Sequence, residues 1–381
     1  MLVAEAHALR EAFGHHATFA ALHADPAWPV LSQRLAALLA PVRRHVSASQ
    51  PAGEPKPGGL RVVQWNLEHG NRFEAIAQAL STHPALAGAD LVTLNEVDLG
   101  MARSGNRDVA GELARRLGLH AVWAAMFLES TRGRDDDGLT AVPEDNAESL
   151  FGLAVLSRWP ITRTRLVPLP APERLLFERE RMSGRFVALL CDVAHPTHSF
   201  VAATVHLEVH RARRHRAVQM RLLLEALAAE ERPIVLAGDW NTHTFDRGRS
   251  LASLEAAWSL LAWPTPGLVA RLTRPDRGAH REPLFDALSA SGFAWEPYSD
   301  HAPTLGLRFA RLGEVHAMPG PIRKFASRSL DWAERRARLR LDWIAARGMA
   351  DDAGRGRTIE GLDGPGLASD HAPVLAELRF R

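Results

Sequence analysis

The decapeptide Pro233-Ile-Val-Leu-Ala-Gly-Asp-Trp-Asn-Thr242 joins an apolar run to two polar side chains. The run at 234–237 lies between a proline and a glycine, and it predicts a strand that is buried on both faces. Asp239 and Asn241 are two residues apart, so in extended chain their side chains point the same way. The segment therefore predicts a polar site at a strand end. An Asx-type turn is the alternative, because Asp and Asn favour turns by themselves.

The composition is that of an ordinary globular protein. The chain has 381 residues, 46% of them hydrophobic, and a net charge of +2. This length fits one large α/β domain with an appendage, or two domains. Almost all basic residues are Arg, with lysine only at Lys56 and Lys324, so Arg clusters are weak indicators of nucleic-acid binding. The single cysteine, Cys191, excludes an intrachain disulfide and fits a reducing compartment.

Neither a membrane span nor a signal peptide is predicted. The longest apolar runs are far shorter than the roughly 20 residues that a spanning helix needs. Glu5 and Arg10 interrupt any apolar core of a leader sequence at the N-terminus. We therefore expect a cytoplasmic location.

Three segments differ in pattern along the chain. Residues 1–50 have helical spacing and predict a helical extension, and the Pro- and Gly-rich residues 51–59 predict a linker. Residues 60–381 alternate short strands with helices, which predicts a mixed pair of sheets with helices outside, although 262–340 shows little pattern. Strands are predicted at 60–66, 90–95, 119–127, 151–156, 186–193, 200–206, 233–238, 340–346 and 372–379. Helices are predicted at 71–82, 108–118, 210–230 and 250–261, and a solvated loop at 129–148.

Four more strand ends carry acids, amides or histidines. Their polar residues are Asn66 and Glu68, Glu96, His206, and the pair Asp370-His371. Each has a structural explanation: Asn66 could cap the next helix, Glu96 could be an exposed loop acid, and a lone histidine is usually structural. Five such clusters at the same type of position favour a shared site.

The chemistry that these residues fit is metal-assisted hydrolysis of a phosphate ester. Carboxylate and amide oxygens without cysteine favour Mg²⁺ or Mn²⁺. Such a metal can offset the charge that develops in the transition state. A histidine paired with a carboxylate is held in one tautomer and kept cationic, and Asp342 is the candidate partner.

The ordered set of these motifs resembles the endonuclease/exonuclease/phosphatase superfamily, which includes AP endonucleases, pancreatic deoxyribonuclease, inositol-polyphosphate phosphatases and bacterial sphingomyelinases. The resemblance covers about residues 60–381. Its motifs are Trp65-Asn-Leu-Glu68, Asn95-Glu-Val97, Ala154-Val-Leu-Ser-Arg-Trp-Pro-Ile161, Thr204-Val-His-Leu207, Gly238-Asp-Trp-Asn-Thr242, Leu341-Asp-Trp-Ile344 and Ser369-Asp-His371.

The resemblance implies an α/β (α+β) fold, a four-layer sandwich of two mixed sheets flanked by helices, with the site at one open edge. It implies that Glu96 is the main ligand of Mg²⁺ or Mn²⁺, and that Asn66, Asp370 and, through water, Glu68 assist it. The implied catalytic residues are Asp239 and Asn241, which orient water and phosphate, His371 oriented by Asp342, and His206 at the transition state or leaving group. Arg158, with Asn241 and His206, is expected to bind the substrate phosphate.

Departures from the family pattern bear on the substrate. The family often has Gly-Asn-Ala where this chain has Gly152-Leu153-Ala154, and Tyr298 matches no family tyrosine. AP endonucleases tend to carry Asn at the position of His206, which argues against AP-site repair. A phosphodiester or phosphomonoester is the expected substrate, and no obligate protein partner is expected.

Two basic stretches leave other substrates and functions open. The stretch at 211–216 predicts a solvated helix face, and the stretch at 323–340 predicts packing against the core or contact with lipid head groups. A nuclease acting on DNA or RNA and a catalytically decayed binding scaffold are the alternatives.

Overall fold

The computed structural model describes most of the chain. The described residues are 2–49, 58–133, 140–246, 264–306, 332, 334, 336–350, 355–364 and 366–381. The predicted helix at 250–261, most of the linker and most of the basic stretch at 323–340 lie outside them.

Helices and strands alternate through the chain as the sequence predicts. The helices are α1 Leu2–Gly14, α2 Phe19–Ala24, α3 Trp28–Leu39, α4 Phe73–Thr82, α5 Val109–Leu117, α6 Glu173–Leu175, α7 Arg213–Ala226, α8 Thr265–Thr273 and α9 Leu284–Ala290. The strands are β1 Val42–His45, β2 Gly59–Asn66, β3 Leu91–Leu99, β4 His120–Glu129, β5 Leu150–Ser157, β6 Ile161–Leu169, β7 Met182–Gly184, β8 Phe186–Val193, β9 Phe200–His206, β10 Ile234–Asp239, β11 Leu305–Gly306, β12 Arg338–Leu339, β13 Asp342–Arg347, β14 Arg355–Thr358 and β15 Val374–Arg379.

Two mixed sheets form the centre of the molecule. The larger has the order β1-β4-β5-β3-β2-β15-β14, with β7 also paired to β4, and the smaller has the order β13-β10-β9-β8-β6. Each sheet contains one parallel pair, β2 with β3 and β9 with β10, among antiparallel neighbours. The opening decapeptide supplies β10, all six residues of which are buried.

Helices cover the outer faces of both sheets. Apolar side chains of α1, α3, α4 and α5 form one core with the outer face of the larger sheet. The second core lies between the sheets and continues to α7 and α9 on the far side of the smaller sheet. The four-layer sandwich that the resemblance implies is thereby confirmed.

The N-terminal extension is helical as predicted, and it also contributes a strand. Strand β1 pairs antiparallel with β4 at the edge of the larger sheet, with Val42 opposite Ala124. Leu9 and Phe13 of α1 and Leu35 of α3 are buried against that sheet. This segment is therefore built into the sandwich.

Two further edge strands, β6 and β14, were not predicted from the sequence. Strand β6 closes one side of the smaller sheet and β14 one side of the larger. Both are only partly buried, so neither shows the apolar run of a strand buried on both faces. Among the described residues, no helix is long and apolar enough to cross a membrane.

Candidate active site

The predicted site residues other than Arg158 meet at one edge of the sandwich, where three strands end and a fourth, β3, passes with a bulge at Glu96. Asn66 ends β2 and Glu96 lies near the end of β3, which runs parallel to β2. His206 and Asp239 end the parallel pair β9 and β10 and lie opposite each other in register. Both parallel pairs thus deliver their polar ends to the same place.

The amide of Asn66 links the two sheets. Its Nδ2 donates to Glu96 Oε1 at 2.9 Å and to Asp239 Oδ2 at 3.1 Å. Its Oδ1 accepts from the backbone N–H of Glu68 at 3.1 Å. The amide nitrogen, not the oxygen, therefore faces the two carboxylates. Asn66 orients these acids here, which differs from the expected role as an oxygen ligand of the metal.

A β-bulge aims Glu96 into the site. The pairing of β3 with β5 shifts between Leu94 and Val97, and Glu96 has a φ of 51°. Such bulges redirect side chains, and strained backbone of this kind is common at functional sites. Burial opposes ionisation of Glu96, but the nearby His69 and His206 and the Asn66 hydrogen bond prevail and lower its pKa. Glu96 is therefore a ready anionic ligand.

Asp239 is held by its own backbone and by neighbouring side chains. Its N–H donates to Asn95 Oδ1 at 2.7 Å, and its Oδ1 accepts from the N–H of Asn241 at 2.9 Å. Its Oδ2 lies 3.7 Å from His206 Nε2 and 3.9 Å from His371 Nε2. Burial, reinforced by the Asp342 carboxylate, raises the pKa of Asp239.

Asn241 follows in a left-handed conformation, with a φ of 49°. Its Nδ2 donates to the carbonyl of Leu207 at 2.7 Å, which ties this loop to the end of β9. The turn and the site are thus one feature, because the turn is what presents Asp239 and Asn241 together.

His371 and Asp342 form a buried pair. Asp342 is the first residue of β13, and His371 lies just before β15. These strands run antiparallel to β10 and β2, so they start at the edge where β10 and β2 end. His371 Nδ1 lies 2.7 Å from Asp342 Oδ2, and Asp342 is fully buried. Although burial disfavours the imidazolium, the Asp342 carboxylate and its hydrogen bond raise the pKa of His371 well above its usual value. The predicted pairing of these two residues is present.

Glu68 and Asp370 add negative charge beside Glu96. Glu68 forms an ion pair with Arg72 at 2.7 Å. Burial raises the pKa of Asp370 to about 6, with further contributions from the charges of Glu68 and Glu96. Crowded carboxylates of this kind are relieved by a cation.

The donor set fits a hard divalent metal. One atom each of Glu96, His206 and Asp239 lies within 4.8 Å of the others, and the same holds for Asp239, Asp342 and His371. The first group, with Asp370 and Glu68 beside it, offers carboxylate oxygens such as Mg²⁺ or Mn²⁺ prefers. In the second group the short contact between His371 and Asp342 already commits both side chains to each other.

Arg158 is not brought to the site. It follows β5 at the opposite edge of the larger sheet, where its Nε lies 2.6 Å from Asp90 Oδ1. Its backbone N–H donates to the Asp90 carbonyl at 2.8 Å. Because β5 runs antiparallel to β3, its end lies beside the start of β3 and far from Glu96. The structure thus separates Arg158 from the site.

The basic stretch that opens α7 is not a solvated face throughout. Arg216 is fully buried, with Nη2 2.6 Å from Glu282 Oε1. Arg213 lies 3.1 Å from Asp246, while Arg211 and Arg214 are exposed. The buried and paired arginines hold the helix to neighbouring segments.

Three site residues were missed in the sequence. His69, with a φ of 68°, places Nε2 3.6 Å from Glu96 Oε2, on the side opposite His206. Gln64 Nε2 donates to Asn95 Oδ1 at 2.7 Å, beneath Asp239. The sequence could have indicated His69, because it directly follows Glu68, a predicted metal ligand. Asn95 stands in the motif Asn95-Glu-Val97 but was given no role, and Gln64 gave no signal, because the roles of both depend on contacts between strands.

A family model described as the Endonuclease/Exonuclease/phosphatase family matches residues 63–371. The chain belongs to this family. Endonuclease/exonuclease/phosphatase proteins hydrolyse phosphoester bonds and generally depend on divalent metals. No protein of curated function matches the sequence significantly.

Several solved structures are similar to this member of the endonuclease/exonuclease/phosphatase family. An endonuclease/exonuclease/phosphatase from Beutenbergia cavernae is 20% identical, with a TM-score of 0.48 over 84% of this chain and 72% of that one. An AP endonuclease from Archaeoglobus fulgidus is 12% identical, with a TM-score of 0.45 over 83% and 98%. Sphingomyelinase C from Streptomyces griseocarneus is 15% identical, with a TM-score of 0.46 over 84% and 99%.

Proposed function

We propose that the chain is a Mg²⁺- or Mn²⁺-dependent hydrolase that cleaves a phosphodiester or phosphomonoester by in-line attack of water. The observation that carries this proposal is the junction at Asp239. Its carboxylate contacts the Asn66 amide that also binds Glu96, and it lies within 4 Å of His206 and His371. A base, a metal ligand and two histidines thus share one small volume.

The metal would be held by Glu96, assisted by Asp370 and Glu68. When bound, it supplies positive charge that offsets the charge of the phosphate in the transition state. Asn66 keeps Glu96 and Asp239 in place through its two donated hydrogen bonds.

The protein side chains divide the proton transfers. Asp239, whose pKa burial raises, accepts a proton from the attacking water, since a base works best when its pKa approaches the working pH. His371, kept cationic by Asp342, binds a non-bridging phosphate oxygen. His206 donates a proton to the leaving oxygen, and Asn241 orients the phosphate.

A panel of substrates tests this proposal. We expect hydrolysis of bis(p-nitrophenyl) phosphate or p-nitrophenyl phosphate that requires Mg²⁺ or Mn²⁺ and that EDTA abolishes. We expect Asp239→Asn and His371→Ala to lower kcat/KM by about 10²–10⁴-fold, the range for acid–base groups. Full activity in either variant, or in EDTA, would refute these assignments.

The substrate class follows from the same panel. Nicking of a supercoiled plasmid in preference to the small esters would favour the nuclease alternative, and release of a phospholipid head group would favour a lipid substrate. A decayed scaffold remains the last alternative; it predicts no Mg²⁺ or Mn²⁺ binding by calorimetry. The cytoplasmic location stays a prediction.

A further inference from the structure

His69 lies in the site but has no task in the hydrolysis proposed above. Its Nε2 lies 3.6 Å from Glu96 Oε2, whereas His206 Nε2 lies 3.9 Å from the other carboxylate oxygen, Oε1. The two histidines therefore flank the proposed metal ligand, one beside each oxygen. The side chains of His69 and Glu96 are 18% and 22% exposed, so a cation can reach both from solvent.

The amide of Asn66 decides on which side of Glu96 a cation has room. Its Nδ2 donates to Glu96 Oε1 at 2.9 Å and to Asp239 Oδ2 at 3.1 Å. The N–H of Glu68 donates to Asn66 Oδ1, which fixes the amide in this orientation. The amide nitrogen thus takes the place between these two carboxylates that a cation would need. The other oxygen of Glu96, Oε2, faces His69, so a metal ion bound there approaches His69.

The backbone and a ring contact hold the His69 side chain towards Glu96. Its φ of 68° is left-handed, a conformation that few residues other than glycine adopt and that is common at functional sites. Its ring packs on Phe151, with 5.4 Å between the centroids. Phe151 belongs to β5, the neighbour of β3 in the larger sheet. The imidazole is therefore supported by the sheet that carries Glu96.

Asp98 stands behind the other ring nitrogen of His69. Its Oδ1 lies 3.9 Å from His69 Nδ1. Asp98 is fully buried, and Arg103 fixes both of its oxygens, with Nε 2.8 Å from Oδ2 and Nη2 2.9 Å from Oδ1. A carboxylate beside Nδ1 favours a proton there, which leaves the lone pair of Nε2 facing Glu96. Histidines that bind metals commonly have a carboxylate placed in this way.

We propose that His69 Nε2 is a direct ligand of the metal that Glu96 holds, and that this nitrogen makes the site prefer Mn²⁺ to Mg²⁺. The inference rests on the proposed function, which supplies the metal. Imidazole nitrogen binds first-row transition metals, whereas Mg²⁺ takes oxygen ligands and keeps several waters. The remaining ligand positions stay open to Asp370, water and phosphate oxygens.

Metal binding by the full chain tests the proposal. We expect electron spin-echo spectra of bound Mn²⁺ to show coupling to an imidazole nitrogen. Calorimetry should give an affinity for Mn²⁺ at least about tenfold above that for Mg²⁺. His69→Asn shortens the side chain and keeps a residue that tolerates left-handed backbone. It should abolish the coupling and weaken Mn²⁺ binding by about 10–100-fold, with a smaller effect on Mg²⁺.

His206→Asn is the matched control, because it removes the histidine beside the other oxygen of Glu96. It should keep the nitrogen coupling and the preference for Mn²⁺, although hydrolysis should fall. Circular dichroism checks that each variant folds. If His69→Asn does not fold, His69→Gln replaces it, since its amide also removes the imidazole nitrogen.

Different results overturn this inference and the proposed function. If neither ion binds to the folded wild-type protein, both fail. If Mn²⁺ binds without nitrogen coupling, or if Mg²⁺ binds equally well, only the inference fails. The same holds if the coupling survives the loss of His69 or disappears with His206.

Discussion

Asp370 is a carboxyl group that lies close to other carboxylates in the site. It lies beside Glu68 and Glu96, and burial together with their charges raises its pKa to about 6, well above the usual value for an aspartate. A carboxyl group whose pKa is higher in the folded state favours folding while it is protonated. Its contribution to the stability of the metal-free protein is therefore complete below about pH 4 and is lost as the pH rises to about 6.

Because the pKa of Asp370 is raised in the folded protein, we predict that stabilisation of the protein by a bound metal depends on pH. Mg²⁺ should raise the Tm more at about pH 7.5 than at about pH 5, because the ionised Asp370 is the form that a cation stabilises. Asp370→Asn should remove most of this difference and make the metal-free protein more stable at the higher pH. Thermal melts with Mg²⁺ or EDTA measure both effects. An equal Mg²⁺ effect at the two pH values would contradict the assignment.

Arg158 gives a prediction that separates stability from activity. Arg158→Gln should leave kcat and KM within about twofold of the wild type, because the side chain lies at the opposite edge of the sheet. It should lower the free energy of unfolding by about 3 kcal/mol, since it leaves the carboxylate of Asp90 buried without its cation. Urea denaturation and steady-state kinetics provide the two readouts. A large rise in KM at unchanged stability would restore the phosphate-binding role.

Residues at strand ends could be predicted from the sequence, and residues between strands could not. Asp239 and Glu96 each follow an apolar run, so their polarity was conspicuous. Asn95 and Gln64 lie inside such runs, and their amides are explained only by the contact that joins β2, β3 and β10. Arg158 shows the converse error, because its motif indicated the family and not the position of its side chain.

At the scale of elements, close contact between β9 and β10 sets the positions of His206 and Asp239. Gly238 makes this contact possible, because a Cβ there would collide with the carbonyl oxygen of Val205 on the neighbouring strand. The glycine directly precedes Asp239, so any shift of β10 would move the proposed base.

We therefore predict that Gly238→Ala lowers the free energy of unfolding by more than about 2 kcal/mol and abolishes hydrolysis. Gly267→Ala is the matched control. Nothing lies within 4 Å of the added methyl group there, and the position is helical, so stability should be unchanged or rise by up to about 1 kcal/mol. Denaturant titration of both variants decides. A Gly238→Ala protein of wild-type stability would show that the backbone has room to adjust.

Strands that are buried on both faces were predicted within a few residues, as β8, β9 and β10 illustrate. Strand β6 was missed because it forms an edge of its sheet and is only partly buried, with Thr162 and Arg163 exposed. Helix α7 was predicted too long at both ends, because the flanking residues are as polar or as helix-favouring as the residues inside the helix. The ends of these elements are decided by which residues pack against neighbouring elements, and the local sequence does not contain that information.

At the scale of the molecule, the N-terminal extension completes the larger sheet. The helical spacing of residues 1–50 was visible in the sequence, but the pairing of β1 with β4 was not, because it joins positions about 80 residues apart. A strand edge that loses its cover is a template for aggregation.

We predict that a chain beginning at residue 58 loses cooperative unfolding or aggregates. The deletion exposes the edge of β4 and the apolar surface that covers Leu9, Phe13 and Leu35. Gel filtration and thermal melts measure this outcome. Val30→Ser is the control, because this residue of α3 is 59% exposed and its loss should be neutral. A shortened chain that is monomeric and fully active would assign the extension a separate role.

The long reach of the contact between β2 and the segment before β15 has a consequence for how activity arises during protein synthesis. The Trp65 indole donates to the carbonyl of His371, which lies 306 residues further along the chain. Asn66 and Glu96 are therefore translated long before the histidine and Asp370 that complete their site. If these residues form the catalytic centre as proposed, a nascent chain lacks that centre until residue 371 has left the ribosome, so topology alone would prevent hydrolysis by an incomplete chain.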